Sequence, residues 1–500
     1  MMSPIKKAMK SAQMIIVFSI ISRALSLTKE SLIASKIGNY FTTDSYFTAF
    51  VASTLLADII GEGISTSMVP ILLRIEAKDG KEKKIEYVNN MLHLAILFSL
   101  ALIMLSWILS PIVIKIMAKG FLEDEFNLSV KLMKVGLPII LFIIVRSVFI
   151  AFLQSNHGFK AGAKSWAYYN MVYIVFLVFF NRFGVIGLMV AGILASAIQL
   201  YSVIPASVKL GYNYERVIDF KDIYLKELLI MIMPIVIGIS INKVNVVVDK
   251  SIASTLAAGS ISWLNYANDI IQVILGIFVT AIVTVFFPII AQEFNREDVR
   301  SLSTVMGKGT HLVVGITLPV SVILMTLSEP IVELLFQRGR FGPIATMMTS
   351  KVLFYYALGL GNMALILILT KAHYAMHNSI TPMIASLIGV ALNYGLNIVL
   401  SKYMGVKGLA LATTISTTVV AILLIKDLNN KVKVIEPRLV VKNSFRMLVI
   451  SGIMAAIILL VFNIWGKMVG DGRVGSIVQL LVSIGTGIGF YIQIIKLMMK

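Results

Sequence analysis

Cysteine is absent from this 500-residue chain, which removes disulfides, thiolate metal sites, haem attachment and cysteine nucleophiles together and leaves the redox compartment open. Charge is scarce as well. Asp, Glu, Lys and Arg make up 14% of the residues against 58% hydrophobic ones, a balance outside the range of soluble proteins. Of the five histidines, His93, His157, His311, His373 and His377, only the last two, four apart, approach a metal-ligand spacing, and a solvated loop is expected for them. There is no Walker-type phosphate loop and no Rossmann fingerprint. The hydrophilic stretches around 74–86, 209–223 and 426–443 are too short to fold alone, so the chain is not expected to be an enzyme.

What remains is apolar sequence in long runs. A helix needs about 20 apolar residues to cross a bilayer, and that ruler gives about fourteen candidates: 11–36, 44–73, 87–114, 126–154, 162–181, 184–206, 224–256, 260–291, 307–334, 344–370, 379–401, 406–425, 444–465 and 475–495. The expected fold is therefore an all-α polytopic membrane protein. The first run carries internal charge and lacks a small-residue cleavage pattern, so it reads as a true span rather than a leader. The 44 Lys and Arg exceed the 25 Asp and Glu by 19, an excess that would suggest nucleic-acid binding in a soluble protein. Here the cations gather in alternate inter-span segments, such as Lys78, Lys81, Lys83 and Lys84. That is a topology signal placing both termini in the cytoplasm, with membrane lipids rather than nucleic acid as the partner.

Internal repetition organises these spans. Gly184-Val-Ile-Gly-Leu-Met-Val-Ala191 recurs as Gly405-Val-Lys-Gly-Leu-Ala-Leu-Ala412, Asn170 finds a counterpart in Asn393, and Val69-Pro70-Ile-Leu echoes Phe287-Pro288-Ile-Ile. Six spans separate the copies, so both halves enter the membrane in the same sense, a parallel repeat. The expected organisation is an amino-terminal lobe of six helices (1–208), a second lobe of six (209–430), and two further helices (431–500).

Charges within apolar spans cost about 2.5 to 3.5 kcal/mol each at a helix centre and mark functional candidates. Arg23, Lys29 and Glu30 fall in the first span; Asp44, Asp58 and Glu62 fall in or beside the second. Lys29 and Glu30, one residue apart, are expected to point in different directions, whereas Asp58 and Glu62, four apart, share a face. Two readings stand at this point. The charges pair with one another to hold the lobe together, or Arg23 and Lys29 meet an anionic group, for which phosphate or pyrophosphate is the natural class, in an aqueous cavity. Arg146 and Lys243 can reach such a cavity or snorkel. Asp269 in span 8 adds a carboxylate, and Asp249 with Asn393, Asn397 and Thr413 offers either oxygen ligands for a small hard cation or polar contacts between helices.

Phe18-Ser-Ile-Ile-Ser-Arg23, Thr43-Asp44-Ser-Tyr-Phe47, Gly61-Glu62-Gly63 and Val69-Pro70-Ile-Leu, followed by Ser262-Trp263, Leu335-Phe336-Gln337-Arg338-Gly339-Arg340-Phe341, Thr381-Pro382 and Gly408-Leu409-Ala410, resemble the MurJ (MviN) lipid II flippases. That family lies within the larger superfamily of multidrug, oligosaccharidyl-lipid and polysaccharide exporters. The resemblance implies alternating access of an undecaprenyl-pyrophosphate-linked peptidoglycan precursor through a cationic cavity, with the lipid tail in a groove formed by the last two spans. It implies that Arg23 and Lys29 are cavity cations and that Asp44 and Glu62 match its acidic positions, while Glu30, Arg146, Lys243 and Asp269 join them as substrate-binding candidates on the strength of their own charge. It implies a sodium site at Asp249, Asn393, Asn397 and Thr413, no other cofactor, and a monomer in the bacterial cytoplasmic membrane. Two positions depart from the pattern, since Ala57 and Asp269 stand where the family has arginines. Their loss keeps open an exporter of another undecaprenyl-linked saccharide, and less strongly a cation-coupled multidrug efflux pump.

Overall fold

The computed structural model describes residues 4–38, 41–296, 299–376, 378–432, 437–468 and 472–498, and among them there are helices and turns but no strand. In hydrocarbon every backbone N–H and C=O must be satisfied within its own segment, and a helix alone does that for a single crossing. The chain accordingly runs α1 (Pro4–Lys36), α2 (Phe41–Met117), α3 (Glu123–Gly136), α4 (Ile139–Ser155), α5 (Phe159–Phe179), α6 (Gly184–Lys209), α7 (Ile223–Ala253) and α8 (Ser260–Ile274). It continues through α9 (Thr280–Asn295), α10 (Val299–Thr326), α11 (Ser328–Phe336), α12 (Pro343–Ala375), α13 (Ile380–Met404), α14 (Val406–Val432), α15 (Pro437–Met468) and α16 (Arg473–Met498).

Each of the fourteen expected segments falls on helix. Among the described residues ten helices are long and apolar enough to cross a membrane, eleven when the bent pair α3–α4 counts as one span. Two expected crossings lie in α2, whose 77 residues are broken at Gly80 (φ 88, ψ 178) into arms 41–79 and 81–117. A positive φ there interrupts the helix, and glycine adopts it without steric penalty. Several segments expected as single helices are interrupted. Leu137-Pro138 bends α3 against α4 by 41°, a π-helical turn at Leu275–Val279 joins α8 to α9, and Leu327 separates α10 from α11.

The backbone divides into two compact units, Met1–Ser262 and Trp263–Lys500. In the first, α2 is the central element, packed by α3, α4 and α7, while α1 lies on α5 and α6 joins α5 to α4. Gly63 sits where α2 crosses α7, and a Cβ there would come within 2.9 Å of Ile232 and Val236. In the second unit α12, α13 and α14 pack together. There α15 and α16 dock on α10 through Ile323, Leu327, Ile450, Met454, Ile458, Leu480 and Tyr491, whose hydroxyl donates to the Gly315 carbonyl at 2.9 Å. Exposed Leu97, Phe98, Met104, Trp107, Ile108 and Ile112 on the second arm of α2 would be a liability in water and suit a lipid face.

The repeat has a backbone counterpart. Gly184 (φ 59, ψ −151) and Gly405 (φ 62, ψ −141) adopt nearly the same conformation at corresponding helix junctions. A second pair shares the offset: Gly38 (φ 103) precedes α2 and Gly259 (φ 95) precedes α8.

One expectation is corrected. His373 is not in a solvated loop; it lies in the last turn of α12, wholly buried, with Nδ1 at 2.8 Å from the Leu369 carbonyl and Nε2 at 3.1 Å from Asp427 Oδ2. The helix simply continues one turn further than the polar sequence suggests, because α14 supplies a carboxylate partner. His377 lies outside the described residues.

Candidate functional site

The charges of the first unit gather around the inner faces of α1, α2, α4, α5 and α7. Asn170 on α5 donates to the Ser22 carbonyl of α1 at 3.1 Å, fixing the two helices in register. That contact sets Tyr169 and Tyr173, one turn apart, beside Lys29. Lys29 Nζ stands 5.2 Å from the Tyr173 ring centroid, and the Tyr173 hydroxyl accepts from Tyr169 at 3.5 Å and from Tyr46 of α2 at 3.4 Å. Composition made these tyrosines look like ordinary span residues; the i, i+4 pair on α5 was the available signal.

Lys29 and Glu30 do not point apart. Lys29 Nζ is 2.7 Å from Glu30 Oε1, with both side chains largely buried. Adjacent positions diverge by about 100° around a helix, but two long side chains in a buried place without other ions curl toward each other. The other oxygen, Glu30 Oε2, is buried with no hydrogen-bond donor among the described residues. The pair is therefore an ion pair with an unfilled acceptor and a lysine resting on an aromatic face, an arrangement in which an incoming anion can take the ammonium from Glu30.

Deeper along α2, half-buried Asp58 is within electrostatic reach of Lys243 on α7, Arg146 on α4 and Glu62 one turn away. Glu62 itself is exposed, and Ala57 is fully buried. The Arg146 guanidinium stacks on Trp166 of α5 at 5.5 Å, and its Nε is buried without an acceptor among the described residues. Arg23 is half-buried on α1, away from the Lys29–Glu30 pair.

Asp44 is engaged differently. It is 3% exposed, and its Oδ2 accepts from Gly259 N at 2.8 Å while Oδ1 accepts from Ser262 N at 2.8 Å and from the Ser262 hydroxyl. A carboxylate at the start of α2 thus caps the turn that opens α8. Lys250 lies close by, 5.9 Å from the Phe47 ring, within electrostatic reach of Asp44. Beside this contact Gly120 N donates to Ser254 Oγ at 3.1 Å, and the backbones approach so closely that a Cβ on Gly120 would lie 2.4 Å from the Ser254 carbonyl oxygen.

In the second unit, Asn397 Nδ2 donates to Asn393 Oδ1 at 2.8 Å and Asn393 Nδ2 to Thr413 Oγ1 at 3.3 Å, so three of the residues named for a cation come together between α13 and α14. Asp249, the fourth, is a half-buried residue of α7 in the first unit. Asp269 accepts from Asn265 at 3.1 Å on α8. No group of three or more His, Asp or Glu able to hold a metal occurs among the described residues.

Comparison with known proteins gives concordant findings. Residues 33–483 match the family described as Lipid II flippase MurJ. A "Probable lipid II flippase MurJ" of Buchnera aphidicola subsp. Acyrthosiphon pisum is 31% identical over 82% of this chain and 81% of its own. One of Rhizobium tropici is 27% identical over 90% and 86%. Among solved structures, a lipid II flippase MurJ in an inward closed conformation superposes with a TM-score of 0.83 at 25% identity, covering 97% of this chain and 100% of its own. An inward-facing multidrug resistance MATE family transporter of the MOP superfamily, at 15% identity, shares the fold with a TM-score of 0.70 over 84% of this chain.

Proposed function

This chain belongs to the MurJ lipid II flippase family, and from that membership we propose that it moves the undecaprenyl-pyrophosphate-linked peptidoglycan precursor across the bacterial cytoplasmic membrane by alternating access. It is a multi-pass membrane transporter and not an enzyme. The match over residues 33–483 is the observation that carries the reading. The buried Lys29–Glu30 pair supports it: a pyrophosphate is the kind of anion that can draw Lys29 from its carboxylate in a low-dielectric site.

In this reading Arg23, Lys29, Arg146 and Lys243 supply the positive charge that Ala57 and Asp269 do not, Glu30, Glu62 and Asp269 tune it, and Asp44 holds the turn before α8. The lobe boundaries at 208 and 430, the groove of the last two helices, cytoplasmic termini and action as a monomer belong to the same proposal. Sodium coupling does too. Asn393, Asn397 and Thr413 present oxygen acceptors with amide donors, a set that suits a hard, weakly bound cation, and Asp249 is the further carboxylate of this expectation.

The test is complementation of a bacterium whose own lipid II flippase is depleted, with membrane levels checked by blot. Rescue by the wild-type chain and not by Lys29→Ala is the expected result. Failure of the wild type at good expression would overturn the lipid II reading in favour of another undecaprenyl-linked saccharide, which Ala57 and Asp269 specifically favour.

A further inference from the structure

Between α4 and α5 lies a half-open cleft of about 290 Å³, walled by Ile150, Gln154, Phe159, Gly162 and Trp166, with Arg146 at its inner end. Its volume is at the small end of ligand sites, enough for a phosphate group and its immediate attachments rather than a whole lipid-linked headgroup. Arg146 is half-buried, its Cζ lies over the Trp166 ring at 5.5 Å from the centroid, and its buried Nε finds no acceptor among the described residues. Buried guanidinium N–H groups are rarely left without an acceptor, because desolvating them without compensation is costly. Asp58 balances the charge through space without forming a salt bridge to it. Arg146 lines the cleft, and a guanidinium held over an aromatic ring can offer its Nη edge to two oxygens of a phosphate at once.

We propose that the α4–α5 cleft is a phosphate subsite of the transport path, in which Arg146, held by Trp166, binds the pyrophosphate of the polyprenyl carrier in place of the absent arginines at 57 and 269. The proposal rests on the lipid II reading, in which Arg146 already supplies charge, and adds to it a location and the positioning residue Trp166. The same chemistry could be offered by a phospholipid headgroup. A diester phosphate carries one charge and sits on a lipid in vast excess, whereas a pyrophosphate presents more charge and more oxygens to a single guanidinium, so the two sources separate by competition.

The experiment uses the full chain in phosphatidylcholine nanodiscs and measures binding of undecaprenyl pyrophosphate by native mass spectrometry. Arg146→Gln is expected to weaken it about 10- to 100-fold, and Arg146→Lys to recover part of that because the charge stays and the fork is lost. Trp166→Leu is expected to give a smaller loss. Arg146→Gln removes no hydrogen bond to Nε but leaves Asp58 with Lys243 alone to balance it, and Arg146→Lys keeps the charge should the first variant fold poorly. Unchanged affinity in Arg146→Gln, with Lys29→Ala weakened, would overturn the subsite and leave the lipid II reading intact. Absence of binding by the wild type, unaffected by any variant, would overturn both. Equal competition by nanodiscs containing phosphatidylglycerol would overturn the assignment to the carrier and make the cleft a phospholipid seat.

Discussion

Removing the Asp44 carboxylate should loosen the turn at Gly259–Ser262 by an amount the geometry allows to be worked out. Two backbone N–H groups and one hydroxyl donate to it, and the side chain is 3% exposed. Hydrogen bonds to a charged group contribute about 1.5 to 3 kcal/mol each, so three give an upper bound of roughly 5 to 9 kcal/mol. That bound overshoots, because water enters the space left by a truncated side chain and substitutions at helix caps cost only about 0.5 to 2 kcal/mol. We expect about 2 to 4 kcal/mol for Asp44→Ala. Asp44→Asn keeps one acceptor oxygen and should lose about half as much. A chain of this length unfolds with a large entropy, and each kcal/mol lowers Tm by roughly 1 to 2 °C, giving a drop of about 3 to 6 °C for the alanine variant. Tryptophan fluorescence of purified protein in detergent, scanned at one fixed rate, reads this directly. Asp44→Ala melting within a degree of wild type would refute the assignment of Asp44 as the cap of that turn.

Gly120→Ala should impair folding more than its size suggests, because its Cβ would lie 2.4 Å from the Ser254 carbonyl oxygen and 2.5 Å from Thr255 Cα, backbone atoms that cannot rotate away; wild-type yield and Tm would contradict this. Across the Gly80 break of α2, the hydrogen bond from Lys84 at 2.7 Å holds the Glu76 carboxyl below its usual range. A depressed folded value means that the contribution is present above the unfolded value of about 4.3 and is lost as pH falls through the folded one. Stability measured from pH 6 downward should therefore fall less steeply in Glu76→Gln than in wild type, and parallel curves would refute the linkage. Lys84→Met should release Glu76 and leave the amide oxygen of Asn156 without its 3.1 Å donor, lowering Tm at neutral pH.

Length and hydropathy placed all fourteen segments on helix because the bilayer leaves a crossing chain one economical way to satisfy its backbone. Breaks within segments were less legible. Pro138 was a visible signal for the α3–α4 bend, while the π turn at Leu275–Val279 has no composition that distinguishes it from the helix on either side. The glycine repeat was half read. Gly184 and Gly405 stood out because their neighbours also repeat, whereas Gly38 and Gly259 share the offset with dissimilar neighbours and were recognised only from their positive φ.

Charges advertise themselves in an apolar sequence, so Lys29, Glu30, Asp44 and Arg146 could be named before their surroundings were known. Their partners could not, because a partner is a matter of which helix lies alongside, and that information is not local. Lys84 reads as one of a run of solvated cations, yet it is 2% exposed, since Asn156 from the α4–α5 turn and Phe152 of α4 close over it. Asp44 reads as a site carboxylate, yet all its contacts are backbone and hydroxyl donors some 215 to 218 residues away. The same reasoning bears on the two missing arginines. At Ala57 the side chain is wholly buried, so the volume an arginine would occupy is already closed, whereas Arg146 on a neighbouring helix lines a cleft and has a buried Nε with no acceptor among the described residues. A charge deleted at one helix face and an unsatisfied charge on the next are what compensation within a packed site looks like. A substitution that only discarded a charge would have no reason to leave a buried Nε on the next helix without an acceptor among the described residues.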